Sequence, residues 1–195
     1  MKGNPQAGFF YRRVSSVLRY YFRRRSPKLR ILNPGFIPPL GPTLVLLSPT
    51  ASLRDVLALA SSTSRRLQWA EMTRKEAAES GAFVRLFYRA LGLRPLEKSD
   101  PEVMVTECSA ILRADGLVVL PVDFDIDVEA EDNSGETLTL RHVEELLWKV
   151  ESQANFQLGV HILAAHFFQP RTRDRKKEVW LHFGHGESSQ KLLAS

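Results

Sequence analysis

The stretch from Thr43 to Ala60, TLVLLSPTASLRDVLALA, constrains this chain more than any other. Leu44, Val45, Leu46 and Leu47 form a continuous apolar run of strand length. Ser48-Pro49-Thr50 ends it, because proline has no amide donor and restrains the residue before it. Ser52-Leu53-Arg54-Asp55 then reads as a helix start, with a capping hydroxyl and a carboxylate three residues on. Val56, Leu57, Leu59 and Ala60 follow at helical spacing. A buried strand that feeds a helix N-terminus through a polar turn is where α/β proteins place chemistry. Asp55 is also the first acidic residue of the chain.

Charge is distributed unevenly around this stretch. Residues 1 to 55 hold ten Lys and Arg against one acid, whereas the whole chain is only +5. The basic quarter is therefore expected to face a partner. Within it, Phe10 to Arg25 reads as a helix with two unlike faces. Phe10, Val14, Val17, Leu18 and Tyr21 fall on one side, and Arg12, Arg19 and Arg23 on the other. Such a helix suits the interface of an anionic membrane. The plainer alternative is a helix packed on its own domain with a solvated basic face. Nucleic acid is not expected as a partner.

At 195 residues, with one cysteine, Cys108, the chain suits a single domain without an internal disulfide. The N-terminus lacks the uninterrupted apolar core of a signal peptide, and no run reaches the length of a membrane-spanning helix. The expectation is a cytoplasmic protein, peripheral to the membrane. Its organisation divides into a basic amphipathic helix over residues 1–30 and an α/β domain over 31–195.

Downstream of the proline-rich connector Asn33 to Pro42, strand and helix signals alternate. Short strands are predicted at Arg65–Ala70, Leu93–Leu96 and Leu117–Leu120. Helices are predicted within Glu71–Leu91, from Ser99 to the stop at Gly116, and at Thr139–Ala154. Phe156–Phe168 and Glu178–Phe183 read as paired strands about a basic loop. The pattern predicts an α/β fold, a mixed sheet flanked by helices.

The order of these pieces resembles the glycerophospholipid (1-acylglycerol-3-phosphate-type) acyltransferase family, over roughly Leu32 to Gly184. The family's His-x4-Asp segment aligns with Thr50-Ala51-Ser52-Leu53-Arg54-Asp55. Its second segment aligns with Gly92-Leu93-Arg94-Pro95-Leu96-Glu97-Lys98, and its third with Leu117-Val118-Val119-Leu120-Pro121-Val122-Asp123. The closing strand resembles Val179-Trp180-Leu181-His182-Phe183-Gly184. The resemblance implies a fold of the glycerolipid acyltransferase type and a place at the membrane surface. It also implies a lipid or lysophospholipid ligand and an acyl-coenzyme A or acyl carrier protein thioester as co-substrate, with no other cofactor.

The family's histidine takes a proton from the attacking hydroxyl, and its aspartate orients that histidine. Here Thr50 stands in the histidine's place and Asp55 in the aspartate's. Lys98, Pro121 and Asp123 fall where the resemblance implies contacts to substrate, with Val122-Asp123 replacing a Glu-Gly pair. A threonine hydroxyl is no base near neutral pH, so the expectation is impaired or lost transferase activity. Two alternatives stand beside it: an active enzyme using Asp55 with an unconventional base, and a non-catalytic scaffold binding a protein partner.

No metal is expected. The acidic run Asp123–Asp132 lacks the glycine an EF-hand loop needs at its sixth position. Strand alternation puts His161 and His166 on opposite faces, although His166, His182 and His185 converge if their two strands pair.

Overall fold

The computed structural model describes residues 9–24, 28–32, 36–48, 51, 53–63, 65–68, 71–72, 92, 94–95, 101–122, 140–152, 159–168, 178–184 and 187–188. The chain forms one α/β domain, a mixed sheet flanked by helices. Among the described residues the main sheet has seven strands, in the order β1 (Lys28–Leu32), β8 (Glu178–Phe183), β7 (His161–Phe168), β2 (Thr43–Leu47), β6 (Leu117–Pro121), β3 (Leu67–Gln68), with β9 (Glu187–Ser188) also on β7. The strands β7, β2, β6 and β3 run parallel. β8 is antiparallel to β7, and β1 is parallel to β8.

Alternation along each strand sorts the core into two halves. Val45 and Leu47 of β2 pack with Leu163, Leu181 and Phe183 under α1 (Phe9–Arg24) and α2 (Leu53–Ser62). Leu44 and Leu46 pack with Val118 and Leu120 under α3 (Pro101–Arg113) and α4 (Leu140–Glu151). All five β2 residues are buried, as expected for a strand covered on both faces.

α1 begins and ends one residue before its predicted limits, but it buries a different stripe. Tyr11, Val14 and Leu18 join the core against α2. Val14 and Leu18, predicted to face lipid, are thus corrected to core residues, and Val17 is 61% exposed. Including Tyr11 turns the buried stripe by less than one residue's rotation. The Tyr11 hydroxyl donates to the Arg65 carbonyl at 2.7 Å and accepts from the Leu67 amide at 3.3 Å. Arg19 Nε donates to the Ser61 carbonyl at 3.1 Å, at the end of α2. Basic surface and structural anchor share one helix.

Burial raises the Tyr11 phenol above its usual 10.0, with the Leu67 amide opposing the shift. A group whose folded pKa is raised contributes stability that is complete below the unfolded value and is lost as pH rises through the folded one. Stability should therefore fall as pH climbs past 10.0. Tyr11→Phe should lack that tyrosine's share of the alkaline slope. It should also cost about 1–3 kcal/mol at neutral pH, because two buried backbone groups lose a partner. Thermal melts between pH 8 and 11 check both points; identical alkaline slopes would refute the assignment.

Other departures have local causes. Glu71–Met72, at the start of the segment predicted to contain a helix, forms β4 and pairs with β5 (Arg94–Pro95) in a separate two-stranded sheet. β1 was not predicted, because KLRIL alternates cation and aliphatic at an edge over only five residues. Gly116 does not itself turn α3. Asp115 takes the left-handed conformation at φ 57°, and Gly116 follows it. The amides of Gly116 and Asp115 then bond to the Ile111 and Leu112 carbonyls at 2.9 and 3.0 Å, a Schellman closure. Glycine is required there because a Cβ would stand 2.6 Å from the Ile111 oxygen.

Arg65, 6% exposed, locks the amino-terminal edge of the parallel strands. Its Nη1 donates to the Pro38 carbonyl and Thr43 Oγ1, at 3.1 and 2.7 Å. Its Nη2 donates to the Gly41 and Asp115 carbonyls, at 2.6 and 2.7 Å. Burial lowers this guanidinium's pKa and the Asp115 carboxylate works against the shift.

Candidate functional site

The connections leaving β2 and β6 go to opposite faces of the sheet. β2 leads to α2, whose Val56, Leu59 and Ala60 pack on the Val45–Leu47 side. β6 leads to α4, whose Val143, Leu146 and Leu147 pack on the Leu44–Leu46 side. The two strands are neighbours in register, Leu47 beside Pro121. Where adjacent parallel strands send their chains to opposite faces, a crevice opens outside their carboxyl ends. β2 ends at Leu47 and β6 at Pro121, so the chains that follow them both leave at that end of the sheet.

Ser48 leaves β2 half-buried, and the Ala51 amide bonds back to its carbonyl at 2.9 Å. Asp55 sits half-buried in the first turn of α2, where the helix dipole favours a carboxylate. Pro121 ends β6, and the next amide, Val122, donates to the Leu47 carbonyl at 2.8 Å. Val122 itself is fully buried in the α3/α4 half of the core. Position 122 is here a packing position.

The structure thus brings Asp55 and Pro121 to one end of the sheet. Thr50, Lys98 and Asp123 lie outside the described residues, as does the acidic run. So do the side chains of Phe10, Tyr21 and Arg23. On the outward face of α1, Arg12 and Arg19 are exposed beside residues the helical reading missed: Phe9 at 75% and Tyr20 at 64%, with Arg13. The Arg13 guanidinium lies 5.1 Å from the Phe9 ring centroid. Centring the stripe on Tyr11 rather than on Val14 and Val17 would have placed Phe9, Arg13, Val17 and Tyr20 outward together.

Met104, Cys108, His142 and Leu146, among others, line the apolar seam between α3 and α4 over Leu120. The Cys108 thiol is buried on α3. Of the histidines, His161 places Nε2 3.2 Å from the Phe36 carbonyl. His166 and His182 are direct partners across β7 and β8, and His185 lies outside the described residues. Among the described residues no group of three or more His, Cys, Asp or Glu is placed to hold a metal ion. No described helix is long and apolar enough to cross a membrane.

No protein-family model matches the sequence, and no curated protein matches it. The architecture is similar to the crystal structure of the 1-acyl-sn-glycerophosphate (LPA) acyltransferase PlsC from Thermotoga maritima. The TM-score is 0.53 at 14% identity, and the match covers 92% of this chain and 71% of that one. At that identity the likeness shows an acyltransferase-like fold.

Proposed function

We propose that this chain is an acyltransferase-like protein of the membrane surface, holding a lysophospholipid, an acyl thioester or both, with transferase activity impaired. The observation that carries the proposal is the switch at the carboxyl ends of β2 and β6, whose chains leave to opposite faces of the sheet. The segment aligned with the acyl-transfer motif leaves β2 at the topological switch point, in a fold shared with an acyltransferase.

Two further features support it. The outward face of α1 mixes Arg12, Arg13 and Arg19 with Phe9, Val17 and Tyr20, a composition suited to anionic headgroups over acyl chains. Thr50 replaces the proton-accepting histidine, and loss of a general base alone removes about 10²–10⁴-fold in rate. Acceptor and donor are then held without efficient transfer between them.

One experiment tests membrane, ligand and impairment together. The full chain is mixed with phosphatidylglycerol vesicles containing lysophosphatidate and an acyl-coenzyme A, and both sedimentation and thiol release are followed. Wild type should sediment, less so as salt rises, because each exposed cation contributes on the order of 1 kcal/mol and is screened. Arg12→Glu with Arg13→Glu should weaken sedimentation at least about tenfold. Thiol release should stay below about 0.01 per second, some hundredfold under the low end of ordinary turnover. Turnover above about 1 per second would overturn the impairment. Equal binding to neutral vesicles at every salt would overturn the membrane claim. In a parallel melt, failure of both ligands to raise the melting temperature would overturn the ligand claim.

A further inference from the structure

The sheet places two of the chain's five histidines opposite one another, and nothing in the acyl-transfer reading uses them. His166 of β7 and His182 of β8 are register partners in the antiparallel pair. The Gly184 amide bonds the Ala164 carbonyl at 2.9 Å two positions along, which holds the register. Directly opposed residues have Cβ atoms about 4.5–5.5 Å apart and project to the same face. That face is the α3/α4 side, because Leu163, Ala165, Leu181 and Phe183 occupy the other. The α3/α4 half of the core takes no described residue from β8 or β1. His166 is accordingly exposed and His182 half-buried.

We propose that His166 and His182 form a bidentate site for a borderline divalent transition metal, of the Zn²⁺, Ni²⁺ or Cu²⁺ class. Two imidazoles at this separation bracket a metal at the usual metal–nitrogen length of about 2.0–2.1 Å without movement of the backbone. Neutral imidazole selects these ions over Mg²⁺ and Ca²⁺, which take oxygen ligands. The ladder fixes both backbones before the metal arrives, so only the two side chains are ordered on binding. With two protein ligands the remaining coordination positions are open to water or to an anionic ligand. The site lies one strand from the β2 carboxyl end, since Ala165 pairs with Leu47 and His166 follows it. It does not depend on the acyltransferase-like reading.

The test is calorimetric titration of the full chain, freed of any polyhistidine tag, with ZnCl₂, NiCl₂ and MgCl₂. The expected result is saturable uptake of one Zn²⁺ or Ni²⁺ per chain and none of Mg²⁺. His166→Ala and His182→Ala should each weaken uptake at least tenfold, while His161→Ala keeps it. Metal-free melting of His166→Ala should match wild type, since that side chain is exposed. Imidazole resonances of both residues should shift together on titration of the wild type with Zn²⁺. Absence of saturable uptake, or uptake that survives in either variant at wild-type affinity, would overturn the proposal.

Discussion

Arg65→Met should cost about 3–5 kcal/mol, because four acceptors on three segments, one buried and three part-buried, lose the guanidinium at once. Three are backbone carbonyls, those of Pro38, Gly41 and Asp115, and of these Gly41 keeps the Thr43 hydroxyl as a second donor at 3.2 Å. For a chain of this size the loss should appear as a fall of about 10 °C in melting temperature. Arg65→Lys should recover only part of it, since one ammonium cannot span acceptors reached by two separate nitrogens. Denaturant unfolding of both variants decides the matter. A loss under about 1 kcal/mol in Arg65→Met would mean that solvent satisfies these carbonyls. The connector from Pro38 to Pro42 should loosen in the variant, since Arg65 holds it against the turn at Asp115.

Val122→Glu should be as damaging, and for the opposite reason. Restoring the family's motif glutamate looks like a repair of the candidate site. Here it places a carboxylate at a fully buried position in the α3/α4 core. An uncompensated buried charge costs about 3–5 kcal/mol. Burial raises the pKa of such a carboxyl, so the damage should shrink as pH falls and the group becomes neutral. Melting temperatures of wild type and variant between pH 5 and 8 should converge toward acid. A variant as stable as wild type at pH 8 would show that position 122 reaches solvent, and that the third motif can be rebuilt. Val122→Leu should cost far less than the glutamate, as overpacking by one methylene costs about 1–3 kcal/mol.

The residues around Thr43–Ala60 were readable because their pattern has one solution. An apolar run of strand length, a proline turn and a capped helical stripe can only be a buried strand feeding a helix. The same holds for Leu117–Pro121 and for the helix carrying Met104, Val105, Cys108 and Leu112, whose apolar residues lie in the core as spaced. The mixed sheet was readable from alternation. The placing of Asp55 and Pro121 at one end of it followed from where their strands stop.

What escaped the sequence depended on neighbours far along the chain. Which stripe α1 buries was decided by Tyr11, whose hydroxyl has partners 54 and 56 residues away. An aromatic ring on an amphipathic helix suits lipid or core equally well, and only the docking geometry against α2 separates them. Arg65 sits beside Arg66 with nothing local to distinguish them, yet one is buried and the other exposed. That His166 meets His182, conditional in the sequence on the pairing of two strands, was decided by the register of β7 and β8. Val122 read as an altered motif residue because alignment carries position but not direction; the alternation of β6 turns it into the core. Local pattern determined the elements and the end of the sheet where chemistry belongs, because periodicity and chain stops are short-range properties. Burial of particular polar and aromatic groups was decided only by tertiary structure, because partners distant in the chain satisfy them.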